Sequence, residues 1–82
     1  MHYEVDVVVH HPLDERTRRF LAAVQHSANQ VVRFRGDGSS VCVTVEVAGQ
    51  SRDDAIRAAA RQIAQIFPAS NDEKYGEPHQ VS

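Results

Sequence analysis

Two adjacent histidines, His10 and His11, end the valine run of "VVVHHPLDER" (Val7–Arg16). Histidine is the side chain that most readily ligates zinc or moves a proton near neutral pH. As metal ligands the pair is incomplete, because zinc takes three or four protein donors. His2 stands a strand's length away, about 26 Å at about 3.3 Å per residue, and cannot share a coordination sphere with His10. Glu46 would supply one carboxylate if the first and third strands ran parallel, but no further donor completes the set. As an anion site, His11 would join the first amides of the helix that follows, and there Asp14 and Glu15 oppose a bound anion with their own charge. The expectation is a solvated histidine pair at a strand end, with no metal, no cofactor and no catalytic residue.

The other reactive groups are as isolated. Cys42 is the single cysteine, so the chain cannot form an internal disulfide. It is expected opposite Arg33, which would lower its pKa, but no histidine stands beside it as a base for a thiol nucleophile. The tripeptide Arg35-Gly36-Asp37 coincides with an integrin-binding motif, although an Asp-Gly pair at this place is what a hairpin turn requires. No serine, histidine and aspartate order, glycine-rich phosphate loop or paired-carboxylate cleft stands out.

Arginines offer a binding chemistry instead. Arg16, Arg18, Arg19, Arg57 and Arg61 are expected on the helices, where they could meet RNA or ribosomal phosphates. The net charge of −2 gives no global attraction to a polyanion, so any such site would be local. Glu15, Asp53 and Asp54 are placed to hold several of these arginines in helix pairs. The open sheet face predicted below also lacks the aromatic rings on which RNA-recognition sheets stack bases.

The elements that must position these residues are legible from periodicity. Tyr3, Val5, Val7 and Val9 alternate with Glu4 and Asp6, the pattern of a half-buried strand. Pro12 stops it, and Asp14 caps a helix to about Ser27 whose apolar side reads Leu13, Phe20, Leu21, Val24 and Ala28. In "QVVRFRGDGSSVCVTVEV" an Asp37-Gly38 turn would pair Phe34 with Val41 and Val32 with Val43 on one face. Arg35 would then meet Ser40, Arg33 Cys42 and Val31 Thr44 on the other. Ser51 and Asp54 start a second helix, Arg52 to Phe67, with Ile56, Ala59, Ala60, Ile63 and Phe67 at helical spacing. Its alanines allow a close approach to the sheet.

The order β-α-β-β-α predicts an α+β two-layer sandwich with a ferredoxin-like arrangement lacking a clear final strand. Residues 1–67 form the single domain expected of a chain of 82 residues, and 68–82 read as a polar, mostly mobile C-terminal tail. Pro78 argues against a last strand there, which would leave strand one as an edge.

From this follows a small non-enzymatic protein-interaction or regulatory module, acting as a homodimer with an unidentified protein partner. Its partner surface is expected on the open face at Glu4, Asp6, Val8, Arg33, Arg35 and Thr44. RNA or ribosome binding through the helix-side arginines is the second reading, and a metal protein or hydrolase built on His10 and His11 the third. One cysteine and no long apolar N-terminal segment predict a cytoplasmic protein with no membrane contact.

Overall fold

The computed structural model describes residues 1–26, 31–68 and 72–81. The elements are β1 (His2–Val9), α1 (Glu15–His26), β2 (Val31–Gly36), β3 (Val41–Ala48), α2 (Arg52–Ile66), β4 (Lys74–Tyr75) and β5 (His79–Gln80). The strands form one antiparallel sheet in the order β2-β3-β1-β4, with β5 also on β1. The helices cover one face, so the molecule is the α+β two-layer sandwich that the alternation predicts.

Strand alternation builds the core. Tyr3 faces Val47, Val5 faces Val45, Val7 faces Val43 and Val9 faces Val41, and all eight side chains are buried. Each fully buried valine contributes roughly 1.5–3 kcal/mol. Ala55 and Ala59 lie against this layer without solvent exposure, and their small size lets α2 approach β1 and β3 closely. Ile63, Ile66 and Phe67 close the far end of the helix over the core. Ser51 caps α2 by accepting from the Asp54 amide at 3.2 Å, while Asp54 reaches back to the Gln50 amide at 3.3 Å. On α1 the Asp14 carboxylate accepts from the Thr17 amide at 2.8 Å. That bond holds the Asp14 carboxyl below its ordinary pKa.

Four expectations are corrected. The hairpin pairs Phe34 with Val43, Arg35 with Cys42 and Gly36 with Val41, so Phe34 does not face Val41 and the turn is centred on Gly38-Ser39. Asp37 causes the displacement. Its carboxylate accepts from the Ser39 amide, the Ser39 hydroxyl and the Ser40 amide, a side-chain turn that competes with the Asp-Gly backbone turn. From Arg33 to Gly36 each partner shifts by two residues, so these side chains keep their faces.

The second correction is at Val31, expected on the open face and found buried in the core. Between Val31 and Arg33 the register slips, Val31 facing Val45 and Arg33 facing Thr44. One extra residue in β2, a β-bulge, turns Val31 inward. The third concerns Phe20, expected on the buried side of α1 but 47% exposed. Thr17 takes that place beside Leu13 and Leu21; Ala28 lies outside the described residues.

The fourth is the edge. β1 is an interior strand, antiparallel to β3 on one side and to β4 and β5 on the other, so Glu46 faces Glu4 and lies far from His10. The segment read as a mobile tail supplies the cover. Gly76 donates its amide to Asp6 O at 2.7 Å and Val81 donates to His2 O at 2.8 Å, while Tyr75 packs on the core. Pro78 falls between β4 and β5, where its missing N–H breaks no ladder bond.

Candidate interaction surface

The face of the sheet away from the helices carries three cross-strand rows. Arg35, Cys42, Val8 and Lys74 form the first, Arg33, Thr44 and Asp6 the second, and Glu46, Glu4 and His79 the third. Glu4, Asp6, Val8, Arg33, Arg35 and Thr44 are thereby brought together. Lys74 and His79 join them from the segment read as a tail, where strands of two residues are too short to show a period.

The rows are polarised. Arg35 and Lys74 stand at the hairpin end and the Glu4–Glu46 pair at the other. Like charges directly opposite on antiparallel strands repel, and Arg33 offsets this by placing Nη2 3.4 Å from Glu4 Oε1. Thr44 Oγ1 donates to Asp6 Oδ1, and although it lies on the uncovered face Thr44 is only 4% exposed. A hollow of about 90 Å³ is lined by Asp6, Arg33, Arg35, Cys42 and Thr44. That is well below the roughly 300–1,000 Å³ of a small-molecule site. Burial pushes the Cys42 thiol above its ordinary pKa, Asp6 adds to the rise, and Arg35 and Arg33 oppose it. The expected lowering by an arginine is thus reversed, and the neutral thiol is a poor nucleophile.

At the other end of β1 the two histidines diverge. His10 Nε2 lies 3.6 Å from Asp72, whereas the His11 ring packs on Phe67 with centroids 5.2 Å apart and donates through Nδ1 to the Pro12 carbonyl at 2.9 Å. Among the described residues no group of three histidine, cysteine or carboxylate side chains is placed to hold a metal ion. A groove of about 260 Å³ runs past His11, Arg16, Thr17, Phe20, Ile66 and Phe67. A second hollow at the start of α1 is lined by Asp14, Glu15, Arg16 and Arg19.

The helix-side arginines are all exposed. Arg19 pairs with Glu15 at 2.7 Å and Arg57 with Asp54 at 3.4 Å, while Arg16, Arg18 and Arg61 make no ion pair among the described residues. They divide between two helices and share no single row like that of the sheet. No described helix is long and apolar enough to cross a membrane.

Comparison with protein-family models, curated proteins and solved structures gives no match.

Proposed function

We propose that the protein is a small non-enzymatic interaction module that binds a partner protein through the open face of its sheet. The observation that carries this reading is the row of Arg33, Thr44 and Asp6 beside Arg35. It is a hydrogen-bonded, polarised surface with two arginines projecting from an outer strand and a hollow too small for a metabolite. Protein contacts on such a face draw affinity from desolvated anchors and specificity from complementary charge. A reducing, cytoplasmic setting suits the single free thiol of Cys42. Homodimerisation is a separate proposal, and with β1 covered on both sides it belongs to the helix layer around Phe20.

Partner capture by a charge-altered chain tests the reading. An Arg33→Gln, Arg35→Glu double variant should lose a protein retained by the unaltered chain, while an Arg57→Glu, Arg61→Glu variant keeps it. The reverse pattern, abolished by ribonuclease, would support RNA binding through the helices and overturn the sheet-face reading.

A further inference from the structure

The two margins of the sheet are finished differently. Beyond β1 the outermost strands are two residues each and are interrupted by Gly76-Glu77-Pro78, which leaves little continuous edge for pairing. β2 is six residues long and, among the described residues, pairs with β3 alone. The phase of that pairing follows from the turn, where Asp37 donates its amide to Ser40 O at 2.9 Å. In an antiparallel ladder the inward-bonding positions alternate, so Arg35 and Arg33 direct their backbone groups to β3. Phe34 and Gly36 direct theirs outward. The same phase puts the Val32 carbonyl on the outer side, where Gln25 Nε2 donates to it at 2.7 Å. The start of the edge is therefore capped by α1, and among the described residues the stretch from Arg33 to Gly36 is open.

We propose that this stretch receives an extended acidic segment of a partner protein as an added strand. The inference rests on the sheet-face reading and deepens it by naming the partner's chemistry. An antiparallel strand bonded to the backbone of Phe34 and Gly36 places its alternate residues opposite Arg33 and Arg35. Those are the non-hydrogen-bonded positions, at which facing side chains come closest. Arg35 has no ion pair among the described residues, and Arg33 is held toward the face by Glu4. Acidic residues two apart in the incoming strand match this spacing. A second copy of the same chain does not. Overlap centred on Phe34 sets Arg33 against Arg35, overlap centred on Arg35 sets that arginine against itself, and the acid such pairings offer, Asp37, has its carboxylate held by Ser39 and Ser40. The charges that keep β2 from pairing with its own kind thus admit an acidic strand.

The test uses the full chain, nitrogen-15 labelled, and a blocked peptide of alternating threonine and glutamate. The expected result is saturable shifts in β2 with slowed amide exchange at Phe34 and Gly36, and affinity reduced about tenfold by Arg35→Glu. An alternating threonine–lysine peptide should leave those amides unchanged, as should the acidic peptide N-methylated at alternate amides along the edge that meets β2. Failure of the acidic peptide, at millimolar concentration, to slow exchange at Phe34 and Gly36 would overturn the proposal. If binding depends on Arg35 but tolerates N-methylation on either edge, strand addition fails while the sheet-face reading stands. Shifts confined to α1 and α2 and indifferent to Arg35→Glu would overturn both. A single-stranded oligouridylate bound at β2 more tightly than the peptide would replace the acidic peptide by RNA.

Discussion

At the scale of the residue, two glycines exchange the roles that the Asp-Gly signal suggests. A side chain at Gly38 meets nothing within 4 Å, and its backbone lies outside the left-handed region that favours glycine. At Gly36 a Cβ would run into the Ser40 carbonyl oxygen and lie 2.8 Å from Val41 Cα, backbone atoms of the turn and of the facing strand. Gly36→Ala should therefore cost about 1–3 kcal/mol, as overpacking does, and Gly38→Ala within about 0.5 kcal/mol of nothing. Urea unfolding of both variants checks the contrast, and an equal or inverted ranking would contradict the turn described above. The histidine pair yields a second prediction. With His10 turned to an exposed Asp72 and His11 to Phe67, the double alanine variant should lose no more than about 1–2 kcal/mol, chiefly the aromatic contact of His11. Zinc titration should show no stoichiometric uptake that depends on the pair; uptake abolished in a folded double variant would refute this.

At the scale of the element, the hairpin owes its register to one carboxylate. Amides of Ser39 and Ser40, then the Ser39 hydroxyl, hold the Asp37 carboxyl below its ordinary pKa. A carboxylate depressed on folding stabilises the native state above its unfolded pKa of about 4 and loses that contribution as pH falls through the folded value. The stability difference between the unaltered chain and Asp37→Ala should therefore be full at pH 7 and shrink below about pH 4. Urea midpoints across that range measure it, and a difference independent of pH would show that the charge plays no part. The same hairpin shows what was readable. Which face Phe34, Arg33 and Arg35 occupy was legible, because period-two alternation survives any two-residue shift. Their partners were not, because an Asp-Gly pair serves equally for a backbone turn and for a carboxylate-capped turn one residue later. Val31 was misplaced because nothing in a run of two valines marks a bulge. Phe20 was misplaced because Thr17, buried on α1, carries no apolar signal.

At the scale of the whole molecule, the C-terminal segment decides what β1 is. Polar composition and Pro78 hid it, since an added outer strand needs backbone bonds on one side only and little apolar surface beyond Tyr75 and the buried Pro78. It is tied at its start by His10 and Asp72 at 3.6 Å and between its two short strands by Arg52 and Glu77 at 2.6 Å. A chain ending at Pro68 should lose this cover, expose the outer edge of β1 and self-associate on sedimentation while the full chain does not do so through β1. A truncated chain as soluble and as stable as the full one would contradict that role. With β1 enclosed, the open stretch of β2 and the charged face beside it are where the sheet can meet another protein. Amide-exchange footprinting of the full chain, alone and with its captured partner, tests this most directly. Slowed exchange at Phe34 and Gly36 with α1 and α2 unchanged is the predicted result; protection confined to the helices, with β2 exchanging as in the free chain, would contradict it.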